Sequence, residues 1–307
     1  MPRTNQDFNK SRREKDNEYY TLYKDVADEV GMYLSQLKGM RILCPCDWNS
    51  SFEEHTFYTR ELGIITEPSP TGSQFVRYLI AKAEQYGFES VTASGYDERI
   101  GQGIKFQDID YTKYDVIITN PPFSLFGEFI DTLIGAGKKF LVIGSLMDCS
   151  LKNIVSYFQH EQIRIGYHYH LSGFLRPDGT IMPKQDSTPR CCQWFTNLVV
   201  DLHQRPLVLT ESYEESPEQY PHYTNYNAIE CTFVRKIPND YYGAIGVPVS
   251  FLQSYNPNQF EIIGESNELA ISFRDENGKL CSGRFYTKNA DQTLHRCQPR
   301  LIIKRKM

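Results

Sequence analysis

One stretch constrains the fold of this chain more than any other: residues 115–126, which read DVIITNPPFSLF. The apolar run Val116-Ile117-Ile118 has the composition of a buried strand. It leads into Asn120-Pro121-Pro122-Phe123, where two successive prolines donate no N–H and fix φ at about −65°. The strand must end there, and the tetrapeptide becomes a stiff loop at the carboxyl edge of a sheet. Ligands bind at that edge in open α/β sheets.

The groups of this loop suit a flat heterocycle that carries an exocyclic amine. Such an amine is a poor nucleophile because its lone pair is delocalised into the ring. The side-chain oxygen of Asn120 and the carbonyl of Pro121 can accept both amine hydrogens and draw the nitrogen toward tetrahedral geometry. Phe123 can stack on the ring. We predict that Asn120, Pro121, Pro122 and Phe123 catalyse direct methyl transfer; a plain strand-ending turn is the alternative interpretation.

Composition sets wide bounds on the partners. The 307 residues can bury a full core in one large or two smaller domains, and 40% hydrophobic residues describe an ordinary globular protein. A net charge of −5 argues against nucleic-acid binding through bulk charge, although a local basic face is sufficient. Two clusters are candidates for such a face, or are simply solvated tails: Lys10, Arg12, Arg13 and Lys15, and Arg296, Arg300, Lys304, Arg305 and Lys306.

Cysteine usage and hydropathy indicate a protein of the cytoplasm. The eight cysteines form no C-x-x-C pair, which argues against a zinc site and a disulfide scaffold and favours reduced thiols. We find no signal-peptide pattern and no apolar run approaching about 18 residues, and we therefore expect no membrane partner.

Strand and helix patterns alternate between residues 19 and 201. This alternation predicts an α/β fold with a mostly parallel sheet covered on both faces. Residues 202–227 are rich in Pro, Tyr and Glu and predict a linker or an extended wrapping segment. Short strands follow, with a hairpin turn at Asn277-Gly278. The predicted helices are 19–37, 73–86, 125–134 and 153–158, and the predicted strands are 41–46, 90–93, 116–119, 140–143, 163–167, 194–200, 261–263, 270–273, 284–286 and 301–303.

Several stretches together resemble one enzyme family. They are Glu18-Tyr19-Tyr20-Thr21 with Asp25, Cys44-Pro45-Cys46-Asp47, residues 119–126, Trp194-Phe195-Thr196-Asn197-Leu198, Gly246-Val247-Pro248, and residues 259–264. In this order they resemble the EcoRI-type adenine-N6 DNA methyltransferases. The Asn-Pro-Pro-Phe element alone is shared with rRNA guanine and protein glutamine methyltransferases, whereas the combination is much more specific.

The resemblance implies a domain plan and an activity. A flexible polar N-terminus (1–17) would precede a Rossmann-like catalytic domain (18–201) that uses S-adenosyl-L-methionine. A smaller, strand-rich region (202–307) would hold a linker and the DNA target-recognition surface, with Arg176 and Lys184 in the loops before it. The implied enzyme is a monomer of the restriction–modification type. It would methylate the N6 amine of an adenine flipped out of double-stranded DNA at a specific site.

The resemblance also implies a cofactor site. Tyr20 and Thr21 match the element that holds the methionine end of the cofactor, although Thr21 is also a credible helix N-cap. Cys46 and Asp47 follow the first strand, where groups surround the methionine amine and carboxylate. Asp108 matches the acid that faces the adenine of the cofactor, and Asn120 borders cofactor and substrate.

Two departures from the broader methyltransferase pattern concern the cofactor. No glycine follows the first strand within residues 47–52, where a glycine-rich loop is usual. The acid expected for the ribose is also not obvious: Ser94 and Tyr96 occupy that region, and Asp97 reads as a surface acid.

Other functions remain alternatives. RNA or protein-glutamine methylation by the same loop is disfavoured by the missing glycine loop, and a silent DNA-binding relative by the intact catalytic tetrapeptide. A cytosine-C5 mechanism with Cys46 as nucleophile is disfavoured because that residue ends a strand beside the expected cofactor. His160, His168 and His170 have no metal-ligand spacing and are interpreted as structural or surface residues.

Overall fold

The computed structural model describes residues 20–47, 53–70, 72–97, 101–175, 180–183 and 191–306. The basic cluster at residues 10–15, as well as Arg176 and Lys184, lies outside the described residues.

The described chain contains many short strands and a few α-helices. The strands are β1 (Tyr20–Thr21), β2 (Arg41–Cys44), β3 (His55–Thr59), β4 (Gly63–Ile64), β5 (Ser90–Ala93), β6 (Tyr96–Asp97), β7 (Gln102–Gly103), β8 (Val116–Thr119), β9 (Lys139–Ser145), β10 (Arg164–Tyr169), β11 (Gly173–Leu175), β12 (Ile181–Pro183), β13 (Cys192–Thr196), β14 (Ile229–Glu230), β15 (Ile245–Pro248), β16 (Phe260–Glu265), β17 (Phe273–Arg274), β18 (Leu280–Cys281), β19 (Tyr286–Lys288), β20 (Leu294–Arg296) and β21 (Arg300–Arg305). The α-helices are α1 (Tyr23–Val30), α2 (Gln74–Tyr86), α3 (Phe126–Gly135), α4 (Lys152–Gln159) and α5 (Ser266–Leu269).

Eight strands form the central sheet, in the order β10-β13-β9-β8-β2-β5-β3-β4. Its middle is parallel from β9 to β5. The prediction of a mostly parallel sheet is wrong at both sides, because β13, β3 and β4 pair antiparallel with their neighbours. Antiparallel neighbours need no crossover helix, so helix–strand alternation does not reveal them. Since β13 is antiparallel to both β9 and β10, the carboxyl ends of β5, β2, β8, β9 and β10 meet at one edge.

Helices cover both faces of this sheet, which confirms the α/β class. The helices α1 and α2 share one core cluster with Ile118 and Val116 of β8. The helices α3 and α4 share the other cluster with Ile117 of the same strand. Alternate residues of β8 thus point to opposite faces, so the strand is buried on both sides.

The helix ends show where local signals decide the structure. Ser73 caps α2 by accepting a hydrogen bond from Val76 N at 3.2 Å, and Gly87 ends it with φ 66°. Thr21 is not an N-cap: α1 follows Leu22, and Thr21 pairs with Phe174 of β11. The predicted helix over 19–37 is α1 followed by a 3₁₀ helix, Gly31–Leu37.

The strand predicted at residues 194–200 ends early, at Thr196. The side chain of Asn197 replaces the strand pairing: its Oδ1 accepts from Phe140 N and its Nδ2 donates to Lys138 O, each at 2.8 Å. The Oγ1 atom of Thr196 accepts a hydrogen bond from Leu198 N at 3.0 Å. Polar side chains thus end β13 where the apolar composition predicts that it continues.

The C-terminal region is built on a second sheet of order β14-β15-β21-β16. Val247 of β15 and Ile303 of β21 belong to the core cluster that covers α3 and α4. The segment 202–227 packs Leu207, Leu209 and Tyr213 against the same cluster, as an extended wrapping segment does. The predicted turn at Asn277-Gly278 joins β17 to β18. The strands predicted at 270–273 and 284–286 are wrong except at Phe273 and Tyr286, because β17 and β19 begin at these residues. None of the described helices has the length and hydropathy to cross a bilayer.

Candidate active site

Asn120 follows β8 directly and lies at the carboxyl edge of the central sheet. Its Oδ1 is buried and accepts no hydrogen bond from any described residue. Pro121 is buried beside it, and the carbonyl of Pro122 accepts from Leu125 N at 3.0 Å to start a 3₁₀ turn, Phe123–Leu125. The loop is therefore short and fixed at both ends, and it presents an acceptor that lacks a donor.

Asp47 connects three elements at this edge. Its Oδ2 accepts from Thr119 Oγ1 at 2.6 Å, its Oδ1 accepts from Ser73 Oγ at 2.7 Å, and its N–H donates to Ser94 O at 3.1 Å. Burial raises the pKa of Asp47 to about 6, although both hydroxyl donors oppose the rise. The carboxyl group thus ties the end of β8 to the start of α2, and the backbone N–H of Asp47 adds a bond to the residue after β5.

Cys46 lies next to this carboxyl group. Burial and the Asp47 charge raise its pKa to about 12, so the thiol stays protonated near neutral pH. A thiolate is the nucleophile that cytosine-C5 chemistry needs, and this environment opposes it.

Tyr20 and Thr21 form β1, which pairs with β11 and so lies beside the Asn-Pro-Pro-Phe loop. Thr21 pairs with Phe174, and the ring of Phe174 contacts that of Phe123 edge-on at a centroid distance of 6.4 Å. Thr21 Oγ1 is buried without a hydrogen-bond partner among the described residues. The structure thus brings the first described strand next to the Asn-Pro-Pro-Phe loop.

Asp108 is exposed at the end of a 3₁₀ turn, Phe106–Asp108, and lines a cavity of about 500 Å³. Glu53, Glu54 and Asp110 line the same cavity, and Lys113 pairs with Glu54 at 3.2 Å. The cavity is therefore acidic. Its wall residue Ile104 packs against the core cluster that Cys46 also contacts.

Buried polar atoms without a partner gather at this edge. Of five such side-chain atoms in the described chain, four belong to Thr21, Ser94, Asn120 and His170. Ser94 follows β5, Asn120 follows β8, and His170 follows β10. An unpaired buried polar atom costs about 1–3 kcal/mol, so such atoms require an explanation. A polar ligand bound along the carboxyl edge supplies one.

Most of the chain also matches a known protein family. A family model described as "Adenine-specific methyltransferase EcoRI" matches residues 7–64 and 108–306. The chain belongs to this methyltransferase family. The matched residues include Asn120, Asp47 and Asp108, and they exclude the α2–β5 region.

Curated relatives of this EcoRI-type chain cover most of its length. The type II methyltransferase M.EcoRI of Escherichia coli is 29% identical over 338 residues, with 93% of this chain and 97% of the relative covered. M.MpnI of Mycoplasma pneumoniae is 30% identical, with 83% and 84% covered. M.MgeORF184P of Mycoplasma genitalium is 30% identical, with 83% and 85% covered. No solved structure matches significantly.

Thr119 and Ser73 were not among the predicted site residues, although the sequence carries a signal for both. Thr119 is a polar residue at the end of an apolar strand and is fully buried. Ser73 serves as helix cap and as donor to Asp47. In this EcoRI-type chain, polar residues at the ends of buried strands and helices are therefore the sequence signal that could have indicated these two residues.

The C-terminal basic cluster is not one free surface. Arg300 is buried and binds Glu230 through Nη2 at 2.6 Å. Burial lowers the pKa of the Arg300 guanidinium, but the hydrogen bonds and charge of Glu230 outweigh it and leave that pKa raised. Arg305 stacks on Tyr242 at 4.8 Å from the ring centroid. The expectation of a continuous basic face is wrong at Arg300, because a guanidinium on a core strand needs a carboxylate partner.

Proposed function

We propose that this protein is an S-adenosylmethionine-dependent DNA methyltransferase that methylates the N6 amine of adenine at a specific site. The observation that carries the proposal is the unpaired, buried Oδ1 of Asn120 in the Asn-Pro-Pro-Phe loop. Family membership supports methyl transfer, and the adenine specificity printed for the family supports the choice of base. The order of parallel strands in the sheet supports a Rossmann-like methyltransferase core.

Asn120 and Pro121 act on the amine. Their oxygens accept its two hydrogens, which localises the lone pair on nitrogen and aims it at the methyl carbon. The carbon–nitrogen bond forms as the carbon–sulfur bond of the donor breaks, and the amine then loses one proton to water. Phe123 stacks on the base and holds its plane. No residue needs to form a covalent bond to the base.

The donor half of the site lies across β2 and β5. The cofactor would supply the methyl group as a sulfonium cation. Thr21 Oγ1 and Ser94 Oγ are unpaired acceptors or donors for its polar groups. We assign Tyr20 and Thr21 to the methionine end and Cys46 and Asp47 to the surroundings of the methionine amine and carboxylate. We assign Asp108 in the acidic cavity to the adenine, because a carboxylate can accept a hydrogen bond from its amine.

The acceptor is an adenine in double-stranded DNA. Its N6 amine is paired in the duplex, so the nucleotide must be extruded before Asn120 can reach it. Residues 202–307 would read the target. The hairpins β17–β18 and β19–β20 carry Arg274, Lys279, Lys288 and Arg296, which suit phosphate contacts.

Transfer of a labelled methyl group to unmethylated genomic DNA tests this function. Wild type, Asn120→Ala and the control Gln85→Ala, an exposed amide in the last turn of α2, are compared after digestion to nucleosides. We expect labelled N6-methyladenine from wild type and the control. Asn120→Ala should lose at least about 100-fold, as for removal of one preorganised hydrogen-bonding group from an active site.

Cofactor binding, measured separately by calorimetry, distinguishes the alternatives. Cofactor binding with no label on DNA would contradict the DNA assignment and favour RNA or protein acceptors. No cofactor binding by the wild type would indicate a silent relative.

A further inference from the structure

The segment that leaves β10 is held by two carboxylates of α1. Glu29 is fully buried: its Oε1 accepts from Tyr167 N at 2.8 Å, and its Oε2 accepts from His168 N at 2.7 Å and His168 Nδ1 at 2.8 Å. Asp25, one helical turn earlier, accepts from Ser172 N at 2.8 Å and from Ser172 Oγ at 2.6 Å. Glu29 thus holds the first residues of the segment 167–172, and Asp25 holds its last residue.

His170 lies within this clamped segment in an unfavourable state. Its φ is 63°, in the left-handed region that few residues other than glycine adopt, and its Nδ1 is buried without a partner in the described chain. Each of these features costs free energy, of order 1–3 kcal/mol for the backbone and a similar amount for the nitrogen. The Asp25 and Glu29 hydrogen bonds hold the segment against that cost. Strain maintained in this way is typical of binding sites.

The position of His170 along the sheet edge indicates which ligand it faces. Tyr169 of β10 pairs with Gln193 of β13 in the sheet, and Gln193 pairs in turn with Gly144 of β9. Three inter-strand spacings separate β10 from β8, about 14 Å in total. Asp47 and Ser94 lie on the other side of Asn120, across β2 and β5. Asn120 therefore lies between the side of this edge that holds Asp47 and Ser94 and the side that ends at His170. Thr21, which we assign to the methionine end of the cofactor, pairs with Phe174 and borders the His170 side.

We propose that His170 binds the extruded nucleotide by donating a hydrogen bond from Nδ1 to one of its phosphate oxygens. This inference rests on the proposed function and identifies a positioning contact for its DNA substrate. The separation from Asn120 is of the order of a nucleotide's length, from the amine of the base to the backbone phosphate. A phosphate oxygen pairs the buried nitrogen, and a rigid contact there fixes the amine at Asn120.

The test uses substitutions that remove the ring without straining the backbone. His170→Gly suits the left-handed φ, and His170→Asn keeps an amide near the position of Nδ1 in a residue that tolerates this conformation. Glu161→Gly is the matched control, because Glu161 has φ 57° and is exposed at the opposite end of β10.

We expect His170→Gly to raise the KM for DNA about 10-fold or more, as for loss of one hydrogen bond to a charged group. Its Kd for S-adenosylmethionine should stay that of wild type. Its urea midpoint should not fall, because glycine relieves the left-handed backbone and removes the unpaired nitrogen. His170→Asn should recover most of the loss, and Glu161→Gly should show none.

Two results would overturn the assignment of His170. The first is an unchanged KM for DNA in His170→Gly. The second is a parallel loss of cofactor affinity or stability, which would make the residue structural. A wild type that binds cofactor and does not methylate DNA would overturn the proposed function as well. This wild-type measurement does not depend on the His170 variants.

Discussion

Thr119 donates a hydrogen bond from Oγ1 to Oδ2 of Asp47 at 2.6 Å, which binds the last residue of β8 to the loop after β2. Thr119 immediately precedes Asn120, so the residue that we assign to the amine is fixed from the donor half of the site. Thr119 is fully buried, and the bond is thus shielded from competing water. The cofactor contact that we propose at Asp47 would therefore be coupled to the orientation of Asn120 through this hydrogen bond.

The first prediction removes this hydrogen bond. Thr119→Val keeps the shape of the side chain and leaves a carboxylate oxygen without its donor, so we expect a loss of about 1–3 kcal/mol in the free energy of unfolding at pH 7. The loss of a donor to the charged form should also raise the pKa of Asp47 further. Urea unfolding measures the first effect. Thr119→Ser retains the hydroxyl and should stay close to wild type; equal stability of the valine and serine variants would argue against the bond.

The second prediction concerns pH. Burial raises the pKa of Asp47 from 3.8 to about 6, so the folded protein holds this proton more tightly than the unfolded chain. Between about pH 4 and 6 the folded state binds more protons, and stability therefore falls as pH rises through this window. The total fall attributable to Asp47 is up to about 3 kcal/mol.

Asp47→Asn has no such titration and supplies the comparison. The free energy of unfolding of wild type minus that of the variant should decrease from pH 4 to 7, as measured by urea unfolding at each pH. A difference that stays constant across these pH values would show that Asp47 titrates normally.

Local rules predicted the elements of this protein better than their assembly. The double proline ends β8 at Thr119, and Ser73 and Gly87 bound α2, because each signal acts within a few residues. The interpretation of Thr21 as a helix N-cap was wrong because Phe174, more than 150 positions away in sequence, pairs with it in a strand. The charges of Asp25 and Glu29 look like a solvated helix face until the distant segment that they bind is known.

The third prediction tests the aromatic member of the loop. Phe123→Ala removes the ring that we expect to stack on the extruded base, and stacking on one base is worth about 1–3 kcal/mol. We expect methyl transfer to DNA, as kcat/KM, to fall about 5- to 150-fold, with cofactor affinity little changed. Phe123→Tyr should retain most activity. Tyr86→Ala is the control, because Tyr86 is likewise partly buried against the same core cluster as Phe123 and lies at the end of α2. A similar loss in both alanine variants would contradict a specific role for Phe123.

The fourth prediction concerns the close approach of β10 to α1. A Cβ at Gly166 would overlap Oε1 of Glu29 and lie 2.8 Å from Cβ of Trp194, and neither buried group has room to move. Gly166→Ala should therefore displace Glu29 from Tyr167 and His168, cost at least about 1–3 kcal/mol in urea unfolding, and lower methyl transfer through the disturbed His170 segment. Gly135→Ala, where a Cβ meets nothing within 4 Å, should be neutral or slightly stabilising. If Gly166→Ala unfolds like wild type, the packing of Glu29 against β10 does not hold that segment, and the positioning of His170 would need another cause.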